Sequence, residues 1–258
     1  MKTLKVIKIG GNIIDNDRVL SMFLKVFTEL KGPKILVHGG GKFATRLAEK
    51  MNIPISMVEG RRITDAATLE IITMVYAGKI NKSIVAQLQK YQCNAIGFTG
   101  ADGNTIVSHK RIVKTIDYGY VGDIDAVNTK VISALIEAEV TPVFCAITHN
   151  EKGQLLNTNA DTIASELAIA LSNDYNVELY YCFEKNGVLR DVEDDNSVIE
   201  LIDSEYYEKL KLEHIIYEGM IPKLDNCFHA INANVKKVCI GKVEMLFQQN
   251  SRYTTIQK

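Results

Sequence analysis

The stretch 6-VIKIGGN-12 decides the fold, because it joins an apolar run to a glycine turn. Valine and isoleucine dominate the run, which predicts a buried strand that ends at Gly10 and Gly11. Lys8 lies inside this strand, and an ammonium group that is buried without a partner is costly. The glycines let backbone N–H groups approach a phosphate closely. We therefore predict that Lys8 meets an anion at the carboxyl end of a first strand; the alternative is a strand-end lysine that extends to solvent.

A second glycine turn, 38-HGGGK-42, follows a second predicted strand, Lys34 to Val37. Between the two strands, apolar residues recur at helical spacing until Gly32-Pro33, which completes a βαβ unit. Each turn follows a strand and precedes a helix, so the amides and helix dipoles of both can bind one anion. The turns fit neither a Walker motif, which requires a glycine where Leu36 stands, nor G-x-G-x-x-G. Two turns that serve only packing are the alternative.

The composition indicates a globular protein without a polyionic partner. Of the 258 residues, 47% are hydrophobic and 24% are charged, and the formal net charge is -1. We therefore expect neither nucleic-acid nor membrane binding. The start, Met1 to Ile9, lacks the features of a signal peptide, so we expect a cytoplasmic protein. The five cysteines are widely spaced, which favours reduced core thiols over disulfides or zinc ligands.

Predicted strands and helices alternate along most of the chain. Helices are expected from the second glycine turn to residue 51 and at 65–91, 129–138 and 160–171, and strands at 95–99, 140–147 and 177–183. Ile106 to Asp125 is rich in β-branched residues and glycine, which predicts a small antiparallel excursion. The order predicts an α/β fold whose mainly parallel sheet is covered on both faces, with ligands at the carboxyl ends of the strands. The polar turn 172-SNDYN-176 predicts a boundary between lobes 1–174 and 175–258.

Asn157, Asn159 and Asp161 concentrate polar chemistry just before a predicted helix. They alternate along the chain, which directs their side chains toward one face. Helix capping by Asn159 or Asp161 explains one of these residues but not all three. We therefore expect this group to bind a ligand as well as to begin a helix.

Three basic residues lie where an anionic partner is favoured. Lys223 lies one turn into a predicted helix, where the helix dipole repels cations. Arg61 and Arg62 precede the long predicted helix, and the planar guanidinium of arginine suits a carboxylate or a phosphate. For all three residues the alternative is a solvated side chain at the surface.

Six motifs, in their order and spacing, resemble those of the N-acetylglutamate kinases in the amino acid kinase family. They are KIGGN (8–12), VHGGG (37–41), GRRIT (60–64), MVYAGKINK (74–82), LNTNADTIA (156–164) and GMIPK (219–223). The resemblance implies the amino acid kinase fold, an open three-layer αβα sandwich with an amino-terminal lobe for acylglutamate and dimerisation and a carboxyl-terminal lobe for ATP. It also implies that ATP phosphorylates the γ-carboxylate of N-acetyl-L-glutamate, the second step of arginine biosynthesis.

The resemblance implies roles for individual residues as well. Lys8 and Lys223 would stabilise the transferring phosphoryl group, and Asp161 would orient both lysines. The implied substrate-binding residues are Gly40, Gly41, Arg62 and Asn157. The implied nucleotide-binding residues are Gly10, Gly11, Glu184, Gly187, Gly219 and Met220. ATP is then the co-substrate and carries Mg²⁺ with it, and no dedicated metal ligands are expected.

The sequence departs from the family pattern at three places. In 182-CFEKNGVL-189, Phe183 and Glu184 replace the usual threonine and aspartate, so the nucleotide contacts are expected to differ. Ala101 stands where a lysine is frequent. The chain starts at its first strand, without the extra helix that joins arginine-inhibited relatives into hexamers. We therefore expect an arginine-insensitive homodimer.

Two alternatives stay open at this point. The same chemistry on N-succinyl-L-glutamate would need a further cation for the extra carboxylate, and Arg61 is a candidate if it is not solvated. A non-catalytic amino-acid or nucleotide sensor with the same fold is the alternative from another class, suggested by the altered segment 182–189. Retention of Lys8, Lys223 and Asp161 argues against the sensor.

Overall fold

The computed structural model describes residues 1–58, 61–216, 220–248 and 250–258. Its strands are β1 (Thr3–Ile9), β2 (Lys34–His38), β3 (Met57–Val58), β4 (Arg61–Arg62), β5 (Ala95–Phe98), β6 (Ile106–Lys110), β7 (Gly122–Val127), β8 (Thr141–Cys145), β9 (Ile147–His149), β10 (Leu155–Asn157), β11 (Asn176–Cys182), β12 (Leu201–Ile202), β13 (Lys237–Gly241) and β14 (Thr254–Ile256). Its α-helices are α1 (Gly11–Ile14), α2 (Asp17–Glu29), α3 (Gly41–Lys50), α4 (Ala66–Thr73), α5 (Asn81–Lys90), α6 (Thr129–Glu137), α7 (Ala160–Leu171), α8 (Ser204–Leu212) and α9 (Ile221–Asn232). A π-helical segment, Met74–Ile80, joins α4 to α5, and short 3₁₀ helices span Asp102–Asn104 and Val243–Leu246.

Eight strands form one central sheet in the order β12-β14-β13-β11-β1-β2-β8-β5. Every neighbouring pair is parallel except β13 and β14. All residues of β2 and β8 are buried, although successive side chains of a strand point to opposite faces. Both faces of the sheet are therefore covered. This confirms the predicted α/β sandwich with an open, mainly parallel sheet.

β1 lies at the centre of this sheet, between β2 and β11. In the strand register, Lys8 is the neighbour of Val37 on one side and of Tyr181 on the other. The two glycine turns therefore follow adjacent parallel strands at the same edge of the sheet. Because β1 pairs directly with β11, the sheet continues across residue 174, and the division into lobes 1–174 and 175–258 stays a prediction.

α7 packs on the middle of the sheet and brings its polar start to the carboxyl ends of the strands. Its apolar side chains Ile163, Leu167 and Leu171 are fully buried, and the helix contacts β1, β2 and β11. Its bounds match the helix predicted at 160–171. Burial of this apolar stripe fixes the position of the polar residues at the start of the helix.

A second sheet of four short strands has the order β10-β9-β6-β7. β6 and β7 are antiparallel, with an irregular register between Val107 and Ser108, which confirms the predicted excursion. Isolated bridges join Thr64 to Gly119 and Val121 to Asn157. This sheet therefore links the segment after β4 to the end of β10.

Two predicted elements differ from the structure. The helix expected at 65–91 contains the π-helical segment, in which Tyr76 and Ile80 pack against Gly40. A π turn holds one more residue than an α turn, and this rotates Tyr76 and Ile80 toward Gly40. The strand expected at 140–147 divides at Ala146, whose carbonyl accepts a hydrogen bond from Thr158 N–H, and the two parts join different sheets.

Two further properties concern the chain as a whole. All five cysteines are free thiols, and four of them are buried, as the sequence predicts. No helix in the described ranges is both long enough and apolar enough to span a membrane.

Gly97→Ala is expected to destabilise the protein by about 1–3 kcal/mol, as overpacked sites do. A Cβ at Gly97 would lie 1.8 Å from Asn81 Oδ1, and the Asn81 amide is held by a 2.9 Å bond to Val143 O. Gly78→Ala is the matched control, since a Cβ there meets nothing within 4 Å. Urea unfolding measures both variants. Equal stabilities for the two would contradict the packing seen around Asn81.

Candidate active site

Three charged side chains from distant parts of the chain meet at the carboxyl edge of the sheet. Asp161 Oδ1 lies 2.7 Å from Lys8 Nζ, and Asp161 Oδ2 lies 2.7 Å from Lys223 Nζ. The side chains of Lys8, Asp161 and Lys223 are only 13%, 15% and 14% exposed, so water and salt screen their charges poorly. One carboxylate therefore holds two ammonium groups side by side.

Local sequence places each member of this cluster. Asp161 lies in the first turn of α7, but Asn159 caps that helix, accepting a 2.7 Å hydrogen bond from Asp161 N–H. The Asp161 carboxylate is thereby left to pair with the lysines. Lys223 lies in the first turn of α9, next to Pro222, where the helix dipole disfavours a positive charge. The negative charge of Asp161 offsets this effect.

The same contacts set the protonation of the cluster. Burial opposes the charge of Asp161, but the ammonium groups of Lys223 and Lys8 outweigh burial and hold its pKa well below its usual range. Burial also opposes the charge of Lys223, yet the attraction of Asp161 raises the pKa of this lysine. At Lys8 burial prevails and, with repulsion from Lys223, lowers the pKa in spite of Asp161. Lys8 is therefore the lysine that loses its proton more easily.

Both glycine turns lie at this edge, and each leads into a helix. α1 begins at Gly11 directly after β1, and α3 begins at Gly41 after β2. N–H groups in the first turn of a helix have no partner within the helix and can bind an anion. Gly40 has a φ of 152°, and a Cβ there would lie 2.2 Å from Ile80 Cδ1. The second turn therefore requires glycine at this position.

His38 supports the second turn as a neutral side chain. Its Nδ1 lies 2.8 Å from Gly39 O, and its Nε2 lies 3.1 Å from Asn81 Nδ2. Since the Asn81 amide donates to Nε2, the proton is on Nδ1, and Nδ1 donates to the carbonyl. Burial lowers the pKa of His38 to about 4, which agrees with a neutral ring at pH 7.

A cavity of about 490 Å³ opens beside the cluster, and Lys8 lies in its wall. The predicted substrate-binding residues all line it: Gly40, Gly41, Arg62 and Asn157. Asn157 Nδ2 donates to Thr64 Oγ1 at 3.0 Å, which fixes the orientation of the amide. The structure therefore brings these four residues together with one of the two predicted catalytic lysines.

Arg62 is the residue in this cavity that is best prepared to bind an anion. It is only 9% exposed, and its Nη2 donates to Gly41 O at 3.1 Å and to Thr45 Oγ1 at 2.9 Å. Its buried Nη1 has no hydrogen-bond partner in the part of the chain that the structure describes. A buried charged donor without a partner is costly, so the arrangement favours an incoming carboxylate.

A second cavity, of about 450 Å³, borders both Lys8 and Lys223. Four of the predicted nucleotide-binding residues line it: Gly10, Glu184, Gly187 and Met220. Gly11 lines the first cavity instead, and Gly219 lies outside the described residues. Aliphatic residues form much of the remaining wall: Val188, Leu189, Val192, Ile215 and Ile216. The two cavities meet at Lys8, which lines both.

Tyr76 and Arg111 line the first cavity but are not identified by the sequence analysis. Tyr76 reaches it from the π-helical segment, and it belongs to the MVYAGKINK motif, which could have identified it. Arg111 pairs with Asp123, with its Nε 3.1 Å from both carboxylate oxygens. No feature of the sequence around Arg111 distinguishes it from a surface arginine.

The sequence is similar to those of known proteins over nearly its whole length. The model of the amino acid kinase family matches residues 3–242. The acetylglutamate kinase of Cytophaga hutchinsonii is 54% identical over 257 residues, which cover 99% of this chain and 97% of that protein. The acetylglutamate kinase of Bacteroides fragilis is 52% identical, over 92% of this chain and 91% of that protein.

Solved structures share the fold. A protein from Streptococcus mutans matches with a TM-score of 0.79 at 25% identity and covers 98% of both chains. Carbamate kinase from Giardia lamblia matches with a TM-score of 0.71 at 16% identity, over 100% of this chain and 99% of that one. Sequence, fold and site thus agree that the chain belongs to the amino acid kinase family, in which its sequence groups with the acetylglutamate kinases.

Proposed function

We propose that this chain transfers the γ-phosphoryl group of ATP to the γ-carboxylate of N-acetyl-L-glutamate, forming N-acetyl-L-glutamyl 5-phosphate in the second step of arginine biosynthesis. The observation that carries the proposal is the position of Lys8, which lines both cavities and is held by Asp161. A phosphoryl group that passes from one cavity to the other meets this ammonium. Relatives at 54% and 52% identity that are acetylglutamate kinases support the same reaction.

The reaction needs no general base, because a γ-carboxylate is already ionised near neutral pH. Catalysis then consists of holding the two reactants in line and stabilising the charge of the transferring phosphoryl group. Lys8 and Lys223 supply two positive charges, and Asp161 fixes both of them before the substrates arrive. Charges fixed in advance need no reorganisation during the reaction.

Arg62 and Asn157 hold the amino-acid end of the acceptor in this proposal. The partnerless Nη1 of Arg62 receives the α-carboxylate, since the rest of its guanidinium is already fixed by Gly41 and Thr45. The side-chain amide of Asn157 donates its N–H to Thr64, which leaves the side-chain carbonyl oxygen of Asn157 to accept from a donor on the substrate. Backbone amides of the glycine turns bind the phosphoryl oxygens.

ATP fits the second cavity by its chemistry. Aliphatic side chains such as Val188 and Ile216 suit the adenine ring, while Lys8 and Lys223 lie where phosphates are needed. When bound to ATP, Mg²⁺ neutralises charge on the phosphates. The described residues contain no group of three or more His, Cys, Asp or Glu that would cage a metal.

The proposal also assigns one substrate to each lobe and a homodimer as the assembly. Residues 1–174 carry most of the acceptor cavity and residues 175–258 most of the nucleotide cavity. We also infer a cytoplasmic homodimer. β5 lies at the end of the strand order with Ile96 42% exposed, which supports a partner at this edge.

N-succinyl-L-glutamate is the second candidate acceptor, and one observation favours it. Arg61 and Arg111 line the acceptor cavity in addition to Arg62, and both also line an adjoining cavity of about 400 Å³ with His109 and Lys114. Asp123 neutralises Arg111, whereas no ion pair is formed by Arg61 within the described ranges. A terminal carboxylate on the acyl group would find its cation there.

The acceptor is identified by supplying N-acetylglutamate, N-succinylglutamate, glutamate and aspartate in parallel reactions. Hydroxylamine then traps any acyl phosphate that forms. We expect product from N-acetylglutamate and none from the two free amino acids. If N-succinylglutamate is the better acceptor, Arg61→Ala should raise its KM about tenfold, the loss of one charged hydrogen bond, and leave the KM of N-acetylglutamate unchanged. Folded protein that binds ATP but forms no hydroxamate from any acceptor would overturn the kinase proposal.

Lys8→Ala and Lys223→Ala are each expected to lower kcat by about 10²- to 10³-fold, the usual effect of removing one preorganised charge donor. Lys5→Ala is the matched control, because Lys5 lies on the same strand but bonds Lys31 O at an exposed position. Steady-state release of ADP measures all three. A turnover of Lys8→Ala within a few-fold of the wild type would contradict the role given to this residue.

The pH dependence follows from the lowered pKa of Lys8. The wild-type kcat/KM should fall as pH rises through this pKa, below the ordinary 10.5 of lysine, because the charged form is lost. Asp161→Asn removes the anion that raises the pKa of both lysines, so the alkaline limb should move to lower pH. Profiles of ADP release against pH test this shift. Glu166→Gln, which removes the partner of the exposed His229, should leave the limb in place.

A further inference from the structure

Two aromatic rings lie against the ammonium group of Lys223. Its Nζ is 5.3 Å from the ring centroid of Tyr181 and 6.0 Å from that of Phe183. At up to about 6 Å, the negative face of an aromatic ring attracts a cation, most strongly where water is excluded. Lys223 therefore contacts one carboxylate and two ring faces.

Tyr181 also contacts the residue that holds both lysines. Its hydroxyl donates a 3.0 Å hydrogen bond to the backbone oxygen of Asp161, and its side chain is fully buried. In the strand register Tyr181 is the direct neighbour of Lys8. One side chain is thus in contact with Asp161 and Lys223 and lies beside Lys8.

We propose that Tyr181 and Phe183 are positioning residues that keep the Lys223 ammonium charged and aimed at the transferring phosphoryl group. This inference rests on the proposed function. An ammonium has three N–H donors, and Asp161 accepts one of them. The ring faces stabilise the positive charge through their π electrons and have no oxygen or nitrogen lone pair that accepts a hydrogen bond. The other two N–H donors of Lys223 therefore stay available for phosphoryl oxygens.

The two rings lie differently with respect to the cavities. Tyr181 lines neither of the two cavities, so its effect on the reaction must pass through Lys223 and Asp161. Phe183 lines the nucleotide cavity and contacts Lys223 from that side.

Of the titratable groups around Lys223, Lys8 and Lys223 itself are the ones that change charge at alkaline pH. The titratable groups that face it are Lys8 from β1, Asp161 from α7, Tyr181 from β11, Glu184 after β11 and Cys227 from α9 itself. Burial raises the pKa of Tyr181 and of Cys227 well above their ordinary values, so both remain neutral. Asp161 stays ionised.

The test compares Tyr181→Leu, which removes the ring, with Tyr181→Phe, which removes only the hydroxyl. Tyr181→Leu should lower kcat about tenfold, the value of a water-excluded cation–π contact, with KM for ATP and for the acceptor unchanged. Its alkaline limb should stay in place, because the lowered pKa of Lys8 sets that limb, and the charge of Lys223 is followed separately. Tyr181→Phe should keep the wild-type limb and a kcat within a few-fold of the wild type. Phe183→Leu should lower kcat as well.

A second readout does not depend on activity. NMR titration of lysines labelled at the ε-carbon follows Lys223 in the free protein, with Lys223→Arg to identify its signal. The pKa of Lys223 should fall in both leucine variants and stay in place in Tyr181→Phe. Phe27→Leu is the control for lost packing, since Phe27 is equally buried on α2 and contacts neither cavity.

An unchanged Lys223 titration in both leucine variants would overturn the inference, as would an equal shift in Phe27→Leu. If Tyr181→Leu does not fold, Phe183→Leu decides, because Phe183 is only partly buried. A wild-type protein that forms no hydroxamate would remove the proposed function, while the NMR titration would still show whether the rings hold the charge.

Discussion

The ion pairs of Asp161 are the constraint on which the rest of the site depends. Two ammonium groups this close would repel each other and lose their protons in a buried position without the carboxylate between them. The carboxylate is available because Asn159 caps α7 in its place. Ser165 in turn donates to Asn226 O, which ties α7 to α9 and so fixes the distance from Asp161 to Lys223.

This arrangement separates binding from charge stabilisation. Arg62 and Asn157 are fixed by their own hydrogen bonds to the chain and bind the acceptor in the first cavity. Aliphatic residues line much of the second cavity, and among the described residues Lys8 is the one that lines both cavities. Changes in the walls therefore alter which molecules bind, whereas changes in the lysine cluster alter how fast they react.

Local sequence is sufficient to predict some helices and strands but not others. The end of β1 and nearly the whole of β2 and α7 follow from the sequence, because apolar periodicity, glycine and a capping residue mark them locally. The π-helical segment does not, since it depends on the contact of Ile80 with Gly40, far apart in the chain. Lys8 can be identified from the sequence because burial of its charge requires a partner. Arg111 cannot, because its pairing with Asp123 exists only once β6 and β7 have paired. The functional roles came from the ordered motifs and not from periodicity.

The central place of β1 has a consequence for synthesis of the chain. β1 leaves the ribosome well before one of its two neighbours, β11, which begins only at Asn176. Until then β1 and β2 present an apolar strand with an open edge that can pair with other chains. A nascent chain that stalls before β11 is therefore expected to need a chaperone, although its completed sheet leaves no such edge at β1.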